Sequence, residues 1–273
     1  MIKIITDSTI YIKKQEAEEL GIRIVPVFYT ANGNPYLESY SDQNGNFEEL
    51  LKSNRSFATS QPNPAAFLST YEEELALGNE VLCITMSSRL SGTYNAAYVA
   101  AKQTESKKVF VFDSHLTAGG LYLLVIEAKK LVDKGENIRN IIHRLTEIRM
   151  KITVAFSVDD MTPLRNSRRI GFVRMNVGTF LNIKPILLCK DGVVVSDSIA
   201  RGNIEIIKKL ISKIVPNAKE IIINYISNNR IACDLYNIVK EKYPYMNVKL
   251  MKIGPVLGIH LGSEMLAISF IEE

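Results

Sequence analysis

Ser87, Ser88, Ser91 and Thr93 crowd the stretch SSRLSGTYNAAYVAA (Ser87 to Ala101), directly after the apolar run Val81-Leu82-Cys83-Ile84. Each hydroxyl can donate an O–H, Gly92 lets a ligand approach the backbone, and a helical pattern begins at Thr93. Strand, hydroxyl-rich loop and helix N-terminus in succession make an anion site, because first-turn amides and the positive end of the helix dipole face the ligand. An acid group is therefore expected to bind there. Two further hydroxyl-rich stretches are Thr59-Ser60-Gln61-Pro62-Asn63-Pro64, and Asp7-Ser8-Thr9 after Ile2, Ile4 and Ile5. They suggest several loops converging on one crevice. Each also has a plainer reading as a helix cap, since Asp, Ser and Thr are favoured N-caps and Pro64 marks a helix start.

His260 lies between Gly258 and Gly262, which reads as a glycine-rich loop between two strands. A lone histidine in a loop is commonly a structural hydrogen-bond partner. Its nearness in space to a hydroxyl would instead make a Ser–His nucleophile pair, so a hydrolase or transferase using Ser91 or Ser88 with His260 on a small acid or ester is the enzymatic alternative. The usual enzyme signatures are missing: GxxxxGK[ST], GxGxxG, GxSxG and HExxH do not occur. Arg165, Arg168, Arg169 and Arg174, with Arg149 and Lys151 upstream, form a basic cluster that reads first as a solvated face. A net charge of +4 and the lack of interleaved aromatics argue against nucleic acid as a partner.

The elements that must position these residues alternate in type. Strand-like runs at Met1 to Thr6, Ile22 to Tyr29, Val81 to Met86 and Val109 to Asp113 are separated by helical patterns at Ile12 to Leu20, Phe47 to Lys52, Pro64 to Leu77, Thr93 to Thr104 and Ala118 to Lys134. This alternation predicts an α/β fold with a parallel sheet and crossover helices, whose ligands bind beyond the carboxyl ends of the strands. Asp7-Ser8-Thr9, Ser87 to Ser91 and Asp113-Ser114 all fall at such ends. An amphipathic helix, Ile138 to Met150, leads to a strand at Thr153 to Val158, and the domain boundary is placed there, giving domains 1–152 and 153–273.

In the second unit, Lys184 to Cys189 and Val193 to Ser198 flank Asp191-Gly192, a hairpin signal. Strands at Glu220 to Ile226, Asn247 to Ile253 and Met265 to Ile271 alternate with helices at Ile204 to Val215 and Arg230 to Lys242, an α+β pattern. With 273 residues, 47% hydrophobic and 23% charged, the chain has the composition of a globular protein. No apolar run spans a bilayer, and Met1 leads straight into a strand, so neither a membrane span nor a signal peptide is expected. Cys83, Cys189 and Cys233 lie too far apart in sequence for a CxxC pair and read as reduced thiols; no metal site is expected.

The three hydroxyl stretches, in this order and spacing, resemble the DegV family of fatty-acid-binding proteins that supply the bacterial fatty acid kinase. The resemblance continues through Leu164 to Ile170 (LRNSRRI), Lys184-Pro185-Ile186-Leu187, Arg201, and Gly254-Pro255-Val256-Leu257-Gly258-Ile259-His260-Leu261-Gly262. Three departures stand out: Ser167-Arg168-Arg169 where the family usually reads Gly-Gly-Arg, Leu261 where it has Thr, and Gly262-Ser263-Glu264 where it reads Gly-Pro-Gly. The resemblance implies a two-domain α/β protein holding one long-chain fatty acid between or beneath the domains. Its carboxylate would sit near Thr59, Ser91 and His260, supported by Ser60, Ser88 and Asp7. Arg169 and Arg201 match family arginines, with Arg201 the foremost candidate to contact the kinase. The implied protein makes no bonds itself, needs no cofactor, is cytoplasmic and touches membranes only transiently. A lipid other than a fatty acid is the alternative ligand. Phe67, Leu121 and Leu124 are taken as tail-lining candidates.

Overall fold

The computed structural model describes residues 1–52, 56–167, 169–170, 183–227 and 229–273. In chain order, β1 (Ile2–Asp7), α1 (Lys14–Leu20) and β2 (Arg23–Val25) precede β3 (Val27–Ala31), β4 (Asn34–Glu38), α2 (Phe47–Lys52) and β5 (Phe57–Ser60). Next come α3 (Pro64–Ala76), β6 (Glu80–Thr85), α4 (Thr93–Gln103), β7 (Val109–Asp113), α5 (Ala118–Asp133) and α6 (Ile138–Ile148). The chain continues with β8 (Ile152–Ser157), α7 (Thr162–Asn166), β9 (Ile183–Lys190), β10 (Val193–Arg201) and α8 (Gly202–Ile211). It closes with β11 (Ala218–Tyr225), α9 (Asn229–Lys242), β12 (Asn247–Lys252), α10 (Pro255–Leu261) and β13 (Leu266–Glu272).

Among the described residues the strands form three sheets. The order β2-β1-β6-β7 is parallel throughout, and its central strands are near-continuous runs of Ile, Val and Leu because both faces are covered. β10-β9-β8-β13-β11-β12 is mixed, with only the β11–β12 pair parallel. β4-β3-β5 is a small antiparallel sheet. The fold is thus α/β, with an N-terminal parallel sheet and crossover helices followed by a mixed α+β part. The parallel sheet lies wholly before residue 152 and the six-stranded sheet begins with it, and on that segregation we propose the division into 1–152 and 153–273.

α5 is apolar nearly all round and packs against β1 as well as β8, β11 and β13, so it is a core helix rather than a surface one. Its first turn approaches the six-stranded sheet closely. A Cβ on Gly119 would stand 2.5 Å from Asn224 Oδ1 and 2.8 Å from Ser269 Oγ, a spacing only glycine tolerates. The Asp191-Gly192 hairpin forms as its sequence requires, with both residues at positive φ (49° and 81°). Its tip is tied to the loop after β6: Ser87 Oγ donates to Gly192 O at 2.8 Å and Arg89 Nη1 to Asp191 O at 2.9 Å.

The structure departs from the sequence reading in three places that matter for the site. The run Ile22 to Tyr29 is two strands in two sheets, because Pro26 has no N–H to continue a ladder and the chain leaves the parallel sheet there. Thr59 and Ser60 end a strand, β5, instead of lying in a loop; Thr59 pairs with Tyr29 and Ser60 with Phe28. His260 lies on helix α10, with Pro255 in its first turn and Gly262 (φ 80°) as its C-cap, not in a loop. The strand β4 was illegible because Asn-Pro-Tyr-Leu-Glu reads as a turn, and α7 because it is only a turn and a half long.

Candidate functional site

The carboxyl ends of β1, β6 and β7 share one edge, since all three strands run parallel, and the hydroxyl loops therefore meet there. Asp7, fully buried, ties two of them together. Its carboxylate accepts from Thr9 N (3.0 Å) and Thr9 Oγ1 (2.6 Å) and, across the sheet, from Met86 N at 2.7 Å. Burial raises its pKa while these bonds oppose the rise. Asp7 is thus a cap and a brace for the Met86 loop at once.

Beyond this edge a cleft runs between the parallel sheet's loops, β5, α7, α10 and the face of the six-stranded sheet. The space between these walls, with the open solvent at its mouth included, is about 870 Å³. Thr59, Ser60, Gln61, Ser91, Arg169 and His260 make one polar part of its wall. The remainder is mostly apolar, with Val27, Met86, Leu90, Val154, Phe156, Leu164, Val194, Val256, Leu257, Leu261 and Met265 among its lining residues. Gly92 lies beside it, close under the end of the exposed Gln61 side chain: a Cβ there would stand 1.6 Å from Gln61 Oε1, and that side chain would have to swing aside.

Hydrogen-bond directions in the polar part follow from what each group can do. Arg169 only donates; its Nε is satisfied by Leu90 O at 2.8 Å, and its Nη1 faces His260 Nδ1 at 3.5 Å. Nδ1 is then an acceptor, the imidazole proton sits on Nε2, and Nε2–H donates to Thr59 Oγ1 at 2.8 Å. The hydroxyl hydrogen of Thr59 is left for the cleft. Thr93 is fully buried, so its hydroxyl needs an acceptor, and Ser91 Oγ stands 2.9 Å away. Ser91 also accepts from Thr93 N at 3.3 Å, which leaves its own O–H free. Two hydroxyl donors and a half-buried guanidinium with no carboxylate partner among the described residues make a receptor for an anion's oxygens. His260 belongs to it as a neutral ring. Burial first, and the Arg169 charge second, pull its pKa down to about 4.

The structure thus gathers Thr59, Ser60, Ser91 and His260, as the sequence suggested, and adds Arg169 to them. Arg169, with Arg201 a partner-contact candidate by the resemblance, lines the cleft, because the turn after α7 carries it back over Leu90. Ser88 does not reach the cleft: it is exposed, and its N–H donates to Asp113 Oδ1. Asp7 stands behind the wall. Arg201 is exposed at the end of the edge strand β10, where its N–H donates to Glu205 Oε2. Phe67, Leu121 and Leu124 are fully buried core residues away from the cleft wall, since strands and α5 bury them against their own neighbours. The basic cluster is dispersed: Arg165 and Lys151 are exposed, Arg149 Nη1 donates to Asp113 O, and Arg168 and Arg174 lie outside the described residues. Cys83 is buried, and Cys189 and Cys233 are half-buried. Among the described residues no group of three or more His, Cys, Asp or Glu could hold a metal ion, and no helix is long and apolar enough to cross a membrane.

Fold and cleft together define an α/β protein with an apolar cleft that carries one polar patch. The chain belongs to the DegV family: the profile described as an uncharacterised protein of the DegV family matches residues 1–273. A DegV domain-containing protein of Halalkalibacterium halodurans is 32% identical, covering 100% of this chain and 99% of the relative. Among solved structures, that of a DegV family protein from Thermus thermophilus, described for its fatty acid binding, superposes with a TM-score of 0.88 at 27% identity, covering 100% and 99% of the two chains. DegV of Bacillus subtilis, described as a fatty acid binding protein, superposes at 0.85 with 27% identity over 100% and 99%.

Proposed function

We propose that this protein binds one long-chain fatty acid, with the tail along the apolar wall and the carboxylate at Thr59, Ser91, Arg169 and His260, and that it presents this carboxylate to a separate kinase for acyl-phosphate formation. The observation that carries the reading is the pair of leftover hydroxyl donors beside a guanidinium at one part of an otherwise apolar cleft. The fatty-acid-binding relatives support it. Burying about ten methylenes contributes roughly 8 kcal/mol, comparable with micromolar binding before the entropic costs of association. The hydroxyls replace water on the head group and orient it.

The enzymatic alternative is weaker on physical grounds. His260 is bonded to Thr59, not to Ser91 or Ser88, and its Nδ1 faces an arginine where a nucleophile's base has an orienting carboxylate. A ring with a pKa near 4 is a poor general base at neutral pH. The carrier as proposed needs no cofactor, works in the cytoplasm and meets membranes only transiently.

Denaturing extraction of the purified protein followed by mass spectrometry is expected to release about one fatty acid per chain. No lipid, together with no uptake of oleate or palmitate by the stripped protein, rejects the reading. Arg201 tests the kinase part. Arg201→Ala should keep its lipid, since the exposed side chain is remote from the cleft, and should slow acyl-phosphate formation by the kinase about tenfold, a loss of about 1.4 kcal/mol. An unchanged rate of phosphoryl transfer from ATP removes Arg201 from that role.

A further inference from the structure

We infer that Glu38, resting on the fatty-acid reading of the cleft, is a positioning residue for the head-group end: from β4 it caps the first turn of α10 and so fixes where His260 meets Thr59. Glu38 is fully buried although the rest of its strand is exposed. α10 has no side-chain cap of its own at Gly254. Its first free amides are instead met from a distance, Val256 N by Glu38 Oε2 at 2.8 Å and Leu257 N by the Tyr11 hydroxyl oxygen at 3.1 Å. The Tyr11 hydroxyl also faces Glu38. Ser8 Oγ donates to Glu38 Oε1 at 3.2 Å and accepts from Val27 N at 3.2 Å. The carboxyl therefore ties β1, β3, β4 and α10 into one frame. A Cβ at Gly254 would lie 2.4 Å from Glu38 Oε2, so the cap fits flush against the backbone.

The frame backs the site directly. Val27, Val256, Leu257 and His260 all line the cleft, and His260 follows Val256 by one helical turn. Rotation or fraying of α10 would part His260 from Thr59. Asp7, Tyr11 and Tyr29 are the titratable groups facing Glu38, and no Lys or Arg among the described residues pairs with it. Burial, with Asp7 adding to it, pushes its pKa up to about 8, so at neutral pH Glu38 is a neutral acid: its proton on Oε1 reverses the Ser8 bond while Oε2 still accepts from Val256 N, a pattern that an amide can imitate. A fatty acid carboxylate bound nearby adds a like charge and raises that pKa further. Binding then takes up a proton, and affinity falls as pH rises beyond about 8.

The experiment measures oleate affinity from pH 6 to pH 9.5, thermal unfolding and the ring ¹⁵N signals of His260 in wild type, Glu38→Gln, Glu38→Leu and Tyr11→Phe. Glu38→Leu, which removes the cap, should bind oleate about tenfold more weakly and shift the His260 ring signals toward a mixture of tautomers. Glu38→Gln, which keeps an acceptor for Val256 N, should rescue both and abolish the wild-type weakening above about pH 8. If Glu38→Leu does not fold, Glu38→Gln and Tyr11→Phe carry the test through the pH profile and the ring signals. Unmoved ring signals in Glu38→Leu, or a pH profile in Glu38→Gln that matches wild type, overturn the inference. Wild type that takes up no oleate overturns the fatty-acid reading instead, while the ring signals still decide whether Glu38 positions His260.

Discussion

Thr59→Val weakens oleate binding by about 1.5–3 kcal/mol, roughly ten- to a hundredfold, and leaves the protein folded. The expectation follows from hydrogen-bond direction. The Thr59 hydroxyl accepts from His260 Nε2, and its hydrogen has no acceptor among the described residues, so it is left for a ligand oxygen. Valine keeps the shape and the β-branched fit to strand β5 while removing that donor and also leaving Nε2–H without a partner. Ser91→Ala should cost a similar amount, because Thr93 satisfies Ser91 from below and the outward O–H is what disappears. The double variant should lose less than the sum of the two, since both hydroxyls serve one carboxylate. Isothermal titration of the stripped proteins measures this. Affinities that stay put while melting temperatures fall would mean that the two hydroxyls only cap and brace.

How much of this was legible depended on whether the information was local. The strands β1, β6 and β7 with the helices between them, the loops at their carboxyl ends and the Asp191-Gly192 hairpin are written in short windows of sequence, and these formed where expected. Thr59, Ser91 and His260 were legible as hydroxyls and a ring beside glycines, and they meet because three elements distant in sequence converge. What the sequence hid is long-range. Arg169 looks like one charge in a basic run, and only the return of the chain over Leu90 puts it in the cleft. Ser88 has the same type and neighbourhood as Ser91, yet one step along the loop turns it to Asp113 and solvent. The run Ile22 to Tyr29 reads as one strand across Pro26, and nothing local says that the chain beyond the proline joins a different sheet.

Glu38 is the strongest such case. A glutamate after Asn-Pro-Tyr-Leu reads as solvent-facing, because burying it requires Ser8, Tyr11 and Val256, which arrive from 30 residues before it to 218 residues after it. The apolar wall of the cleft is equally non-local. Val154, Phe156, Val194 and Met265 alternate like any half-buried strand residues, so composition cannot separate a residue that faces a cleft from one that faces the core.

The pH dependence of stability gives the second large effect. His260 has an ordinary pKa of 6.5 when unfolded and about 4 in the fold, so between these values the unfolded chain binds a proton that the folded protein excludes. Its contribution is fully present above 6.5 and is lost progressively as pH falls to about 4, by about 3 kcal/mol in all. His260→Gln removes the titration and keeps an N–H for Thr59. The difference in unfolding free energy between wild type and this variant, from denaturant titrations at pH 7.5 and pH 4.5, should therefore shift in favour of the variant on acidification, with the other carboxyl groups cancelling between the two proteins. Lipid-loaded wild type should lose less than stripped wild type, because a carboxylate beside the ring favours imidazolium and lifts its pKa. Parallel pH dependences in wild type and variant would place His260 in water instead of behind Arg169 and the apolar wall, and the head-group site would have to be rebuilt without it.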